Sequence, residues 1–364
     1  MNDNKFRVAI IGCGRLGQHY GWCYDTFPDT EIVAIAEHNP DRLKRVGEIF
    51  GVKALFPDAD SLLKEVVPDV ASVVTPTKFM KDAVIACAEA GVKGVTTDKP
   101  IAARLSDADA MIEACASRGV VFGGGNLQRA MNELQETNRR FIRSGEIGDL
   151  VGASIHGFGG EISGGGCQHI CVLTLLTDAV VQEVIAWASP AEALDQNHDE
   201  GLVINGRFLL SNGLQCQVFG QTTPSRGVDV WSQNGLVRWD WNPPEVYKGF
   251  TPTGQRQRVE FEFESYEWSQ FYYMTSSLRS FLATVAGQGE LFVSGENLRH
   301  ALEVAIACKQ SALMGNIPVS LPLTDRSLAL EPRRYRWLGG DADGKIQSMD
   351  DIFSEAPNHR KRDK

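Results

Sequence analysis

The chain has no apolar run approaching the roughly 18 to 20 residues needed to span a bilayer. It also has no CxxC pair among its eight cysteines, no internal repeat and no low-complexity segment. Each absence excludes something. With no long apolar run, a hydrophobic content of 43% is that of an ordinary globular protein and not of a membrane protein. Scattered cysteines are the usage of a reducing compartment and not of a disulfide framework. No basic stripe is interleaved with aromatics, and a formal charge of -10 opposes nucleic acid and anionic membrane. The expected partner is a small molecule. The one basic cluster, "HRKRDK" at the C-terminus, reads as a solvated tail. "MNDNKFRVAI" has no apolar signal core and leads straight into a strand, so cytoplasmic residence is expected.

What is present begins with length: 364 residues exceed what one core usually serves, and two domains are expected. "FRVAII" reads as a buried strand, "GCGRLG" follows at once, and "RLGQHYGWCYDTF" is helix-compatible. Gly12 allows a tight turn, Gly14 lets a pyrophosphate approach the backbone, and Gly17 lets the helix pack on the strand. Free N–H groups at the helix start favour the phosphates. Gly12, Gly14, Arg15, Leu16 and Gly17 are therefore candidate cofactor contacts. A second strand in "EIVAIAEHNPDR" ends at Glu37, where an acid accepts hydrogen bonds from ribose hydroxyls and repels a 2′-phosphate, so NAD is preferred over NADP. His38 and Arg42 moderate that preference.

Strand and helix then alternate through "VASVVT", "DAVIACAEAG", "KGVTT" and "VVFGGG", which implies a parallel sheet covered on both faces. Ligands of such sheets sit beyond the carboxyl ends of the strands. That singles out "TPTK" at 75 to 78, "DKP" at 98 to 100 and "GNLQR" at 125 to 129. Lys99 lies just past a buried strand, and Pro100 restricts it to an extended backbone that aims the side chain outward. A lysine there can stabilise an alkoxide or carry a proton.

The order "AIIGCGRLG", "AIAEHNPDR", "VVTPTKFMKDAVIACAEAGVKGV", "DKPIA" and "GGGNLQRAMNELQETNRRFIRSGEIGDLVGASIH" resembles the glucose-fructose oxidoreductase / inositol dehydrogenase (Gfo/Idh/MocA) family. The resemblance covers roughly residues 5 to 175, with a weaker echo near 294 to 323. It implies a Rossmann domain with a doubly wound parallel sheet, then an α/β domain whose large open mixed or antiparallel sheet builds the substrate wall and often the oligomer contact. Lys99 matches the lysine of the family's Glu-Lys-Pro motif, beside the nicotinamide and the reacting carbon, with Asp98 replacing the glutamate. Thr75 and Pro76 match the turn against the nicotinamide ring. Thr77 and Phe79 depart from the family's pattern there, and Met80 stands where a histidine is common. Asn126 and Arg129 become candidate cofactor or substrate contacts.

The family usually carries Asp-x-x-x-His-x-x-Asp at the start of a substrate-lining helix; in "GGGCQHICVL" the histidine is His169 and the acids become Gly165 and Val172. An imidazole still accepts a proton from a sugar hydroxyl. Gln168 is the nearest polar group able to orient it. A metal held by Cys167, His169 and Cys171 is disfavoured, because on a helix the cysteines share a face and His169 lies about 200° from Cys167. A buried His169 without chemistry is the other reading.

Beyond about 180, "VVQEVIAWA", "GLVINGRFLL", "LQCQVFGQT" and "GVDVWSQNGLVRWDW" have strand character with hairpin punctuation, predicting an antiparallel or mixed sheet. Trp231, Trp239 and Trp241 either stack on a sugar or fill an interface, burial being the commoner fate. "SQFYYMTSSLRSFLATVAG" and "NLRHALEVAIACKQSALMG" read as helices ending in glycine. The expected organisation is a Rossmann domain at 1–125, a substrate and oligomerisation domain at 126–330, and an arm or tail at 331–364. The expected function is NAD-dependent hydride transfer on a sugar, polyol or sugar derivative, with Lys99 and His169 catalytic and Lys99, Asn126, Arg129, Gln168 and His169 facing substrate. The alternatives are a redox-neutral sugar enzyme working through transient oxidation and a nucleotide-sensing regulator. A homo-oligomer, dimer or tetramer, is expected through the second sheet, and no metal.

Overall fold

Residues 5–221, 226–260 and 272–339 are described by a computed structural model. By internal contacts the chain divides into two units: Met1–Thr97 with Arg118–Val120 and Arg334–Lys364, and Asp98–Ser117 with Val121–Arg333.

In the first unit short apolar strands alternate with helices: β1 (Phe6–Ile11), α1 (Arg15–Thr26), β2 (Thr30–Ala36), α2 (Pro40–Phe50), β3 (Leu55–Phe56), α3 (Ala59–Glu65), β4 (Val70–Val73), α4 (Thr77–Ala90) and β5 (Gly94–Thr97). Residues Val8 to Ile11 and the whole of β4 and β5 are buried, as expected of parallel strands covered on both faces. Asn39 caps α2 by accepting from the Arg42 N–H, with Pro40 in the first turn, and α4 ends where Gly91 takes φ +88°. The second unit starts with α5 (Leu105–Ala116) and β6 (Val121–Gly124). The parallel sheet runs β3-β2-β1-β4-β5-β6, so the strand order reverses between β1 and β4, the switch point at which such sheets bind ligands.

The second unit continues with α6 (Asn132–Thr137), β7 (Leu150–His156), α7 (Gly165–Thr177), β8 (Val181–Ser189), α8 (Ala191–Leu194), β9 (Val203–Leu210), β10 (Gln215–Phe219), β11 (Gly227–Ser232), β12 (Gly235–Trp239), β13 (Glu245–Phe250), β14 (Arg256–Arg258), α9 (Tyr272–Val285), α10 (Gly295–Leu313) and β15 (Val319–Ser320). Its nine-stranded sheet runs β14-β13-β12-β11-β7-β10-β9-β8-β15. The sheet is mixed, since β10 pairs parallel with β7 and antiparallel with β9. Alternation decides its faces: Cys216 and Val218 of β10 are buried, whereas Gln215, Gln217 and Phe219 are exposed. Helix α7 packs on β7, β11 and α10, and α10 also packs on β8. Helix α10 opens with a capping box at Ser294. Fully buried Trp239, Phe158, Phe208 and Phe281 anchor this core, each contributing on the order of 1.5–3 kcal/mol through burial.

The polar stretch after 330 includes a short helix, α11 (Arg334–Leu338), packed on α4. Residues 340–364, with the basic cluster, lie outside the described residues, as do 269–271 at the start of the expected helix that becomes α9. Among the described residues no helix is long and apolar enough to cross a membrane.

Candidate active site

Gly12 leaves β1 at φ +90°, and a Cβ there would lie 2.6 Å from the Val74 carbonyl oxygen. At Gly17 a Cβ would lie 1.9 Å from the Gly12 oxygen. Both positions are closed to any side chain by rigid backbone. Gly14 is the opposite, with nothing within 4 Å of the same point. It is the N-cap of α1 and makes no side-chain cap, so Arg15 and Leu16 open a helix whose first N–H groups are offered to an anion. An open cradle between two locked glycines fits the pyrophosphate of a dinucleotide.

Glu37 is buried at the end of β2. One carboxylate oxygen accepts from the Cys13 N–H at 2.8 Å; the other accepts from the Asn39 N–H at 2.9 Å and from Arg42 at 3.2 Å, with His38 at 2.9 Å. Glu37 therefore ties the glycine turn to the second strand, a partnership that spacing alone does not show. At the end of β4 the Thr75 hydroxyl is buried with no partner, and Pro76 caps α4. Met80, in the position that the resemblance gives to a histidine, is buried and takes the Thr97 hydroxyl.

In the second unit, Asp98 and Lys99 are both buried, and their charges act on the Cys167 thiol of α7. The Tyr273 phenol of α9 is pushed up to about 12, first by burial and then by the charge of Asp98. Cys167 and Cys171 share a face of α7, with their sulfurs 4.0 Å apart. Among the described residues no group of three His, Cys, Asp or Glu side chains is arranged to hold a metal.

His169 points elsewhere, into a box of rings: Phe158 at 6.2 Å between centroids, Trp239 at 5.9 Å and Trp241 at 5.8 Å. The two tryptophans are 5.3 Å apart, and the Arg226 guanidinium lies 4.7 Å over the Trp241 ring. Neither nitrogen of His169 has a hydrogen-bond partner, so no such bond joins it to Lys99. Burial pushes its pKa down to about 4, outweighing the nearby carbonyls of Gly165 and His156. The ring is therefore neutral at pH 7 and keeps a free lone pair.

The remaining sequence-predicted residues have distinct surroundings. Gln168 is occupied at both ends, accepting from the Gln128 N–H at 2.7 Å and donating to the Asn126 carbonyl at 3.0 Å. It staples the loop after β6 to α7. The Asn126 side-chain oxygen is buried and unpartnered. Arg129 donates to the carbonyls of Phe292 and Cys171 at 2.9 Å and to the Thr174 hydroxyl at 3.3 Å, which makes it a clamp inside this unit. Sequence reasoning did not assign Phe158, Arg226 or Tyr273 to the site. No local pattern marks them, since Phe158 and Arg226 reach the rings about His169, and Tyr273 the charge of Asp98, from segments far apart in the chain. Trp241 carried one signal, its place beside a second tryptophan one residue removed; it adopts φ +72°, unusual for a bulky residue.

Residues 6–125 match the family model described as the oxidoreductase family with NAD-binding Rossmann fold. The chain is 31% identical over 144 residues to a D-apiose dehydrogenase of Paraburkholderia graminis, covering 40% of this chain and 38% of that protein. It is 32% identical over 145 residues to a myo-inositol 2-dehydrogenase of Thermotoga maritima, covering 39% of this chain and 42% of that protein. These matches span well under half the length of either relative. An oxidoreductase from Agrobacterium radiobacter, solved with NAD+, L-tartaric acid and magnesium, shares the fold at a TM-score of 0.71 and 19% identity, over 87% of this chain and 98% of that one. The first third of the chain is thus similar to the NAD-binding Rossmann domain of the Gfo/Idh/MocA oxidoreductases.

Proposed function

We propose that this protein is an NAD-dependent oxidoreductase acting on CH–OH groups, moving a hydride between a sugar, polyol or sugar derivative and nicotinamide. The observation that carries the reading is Gly14, open on its ligand side while Gly12 and Gly17 are sealed by backbone. Bound NAD supplies the hydride acceptor. Lys99 stabilises the alkoxide that develops as the hydroxyl proton passes to the unpartnered, neutral His169, and the hydride leaves as that alkoxide becomes a carbonyl. Asn126 offers its buried oxygen to cofactor or substrate, and Gln168 and Arg129 hold the loop that carries Asn126. The carboxylate of Glu37 favours NAD over NADP. The relatives, a D-apiose and a myo-inositol dehydrogenase, support a carbohydrate substrate. We further propose a cytoplasmic homo-oligomer joined through the open sheet face that carries Gln215, Gln217 and Phe219.

Purified protein given NAD and a panel of sugars and polyols is expected to form NADH in step with oxidised product. Lys99→Ala is expected to lower kcat by about 10²–10⁴-fold while leaving the NAD dissociation constant within about twofold; near-normal turnover would remove Lys99 from this role. Gly165 and Val172, standing where the family's acids are common, favour one second reading, a redox-neutral reaction through transient oxidation. Product formed with catalytic NAD and no net NADH identifies that case.

A further inference from the structure

Buried polar groups in folded proteins are nearly always paired. Around His169 four are not: both imidazole nitrogens and the indole N–H groups of Trp239 and Trp241 are buried without a partner, in three rings whose centroids lie 5.3–5.9 Å apart. An indole N–H only donates, and a neutral imidazole donates once and accepts once. The carbonyls of Gly165 and His156 lie near the imidazole and can take its N–H, so the cluster presents to a ligand the two indole donors and a single acceptor, the imidazole lone pair. The Arg226 guanidinium, stacked on Trp241, adds positive charge.

This inventory distinguishes among ligands. Each hydroxyl of a neutral sugar brings its own O–H, which needs an acceptor once buried. The His169 lone pair accepts one such proton, that of the hydroxyl to be oxidised under the reading above, on which this inference rests. Oxygens facing the two indoles must then carry no proton. A carboxylate meets that requirement, offering two oxygens and about four lone-pair sites to the donors and a charge to Arg226.

We propose that the substrate carries a carboxylate, a sugar acid or polyhydroxy acid, held by the indole N–H groups of Trp239 and Trp241 and by Arg226. Arg226 lies at the solvent side, so it guides and neutralises the anion, while the indoles fix its orientation.

The test uses matched probes: glucuronate against glucose, galacturonate against galactose, and gluconate. Two readouts are followed, quenching of tryptophan fluorescence without NAD and NADH formation with it. The acids are expected to quench saturably and to exceed their neutral partners in kcat/KM by at least about tenfold. Trp241→Phe keeps the ring and removes the N–H, and should abolish most of that preference. Arg226→Gln, at an exposed position, should raise KM for the preferred acid by about tenfold with kcat within about threefold. Neutral sugars preferred over acids, or a preference untouched by both variants, overturns the inference and leaves the oxidoreductase reading standing. Saturable quenching by acids that Trp241→Phe abolishes, with no NADH from any probe, supports the carboxylate site and counts against net oxidation of these probes alone. No saturation by any of the acids overturns it.

Discussion

Both units begin a helix with glycines, and they crowd them against different things. At the head of α1, Gly12 and Gly17 face carbonyl oxygens of Val74 and Gly12. At the head of α7, a Cβ on Gly164 would meet the Glu161 carboxylate at 2.6–2.9 Å, and one on Gly166 would meet the Phe158 ring at 2.7 Å. Each set has one open member, Gly14 or Gly165, with nothing within 4 Å. The first turn is bounded by backbone that has nowhere to move. The second is bounded by side chains that have rotamers. Under the proposed function the first turn is a cofactor cradle, which gains from rigidity, and the second a substrate wall, which gains from being adjustable by mutation.

The sharpest way to break that comparison is Gly17→Ala beside Gly166→Ala. The first forces Cβ into a fixed carbonyl and is expected to destabilise the protein by more than about 4 kcal/mol, enough that little folded protein is recovered. The second displaces a ring and is expected to cost about 1–3 kcal/mol. Equal losses in thermal unfolding would mean that the backbone of the glycine turn yields as readily as a side chain.

Next in size is Gly14→Ala. Nothing stands near its Cβ position, so the melting temperature should hold within about 2 °C, while the extra methyl holds a pyrophosphate off the backbone. NAD affinity, followed by titration calorimetry, should fall by at least about tenfold. Unchanged affinity would show that the open side of Gly14 is not the phosphate side.

The smallest expected effect is that of pH. His19, His169 and His300 all have pKa values pushed down to about 4, in each case first by burial. Unfolded histidine titrates near 6.5, so the unfolded chain binds more protons between these values, and stability present above pH 6.5 is lost as pH falls toward 4. Asp199 opposes this: burial raises it to about 6, so its contribution is present at low pH and lost as pH rises through 6. Three groups against one predict a melting temperature roughly 3–6 °C lower at pH 5 than at pH 7. An equal or higher value at pH 5 would mean that these imidazoles are not held neutral in the fold.

What the amino-acid order determined by itself is what depends on local sterics and period. The run from Phe6 to Gly17 specifies strand, turn and helix because only glycine tolerates φ +90° at Gly12 and only a hydrogen atom fits at Gly17. The α/β class, the parallel first sheet and the mixed second sheet followed from apolar runs and alternation in the same way.

Tertiary structure alone decided which groups meet. Glu37 stood out from its spacing, yet one of its partners is the Cys13 N–H, reached across the first unit. Arg129 drew notice as a polar residue after a strand, and folding buries it among carbonyls 42 and 163 residues away. His169 could be named from the chain; the box of Phe158, Trp239 and Trp241 around it could not. The physical reason is range. Turns and periods are settled within a few residues, whereas a site's chemistry depends on burial and on the pairing of donors with acceptors, and these exist only after distant segments have packed.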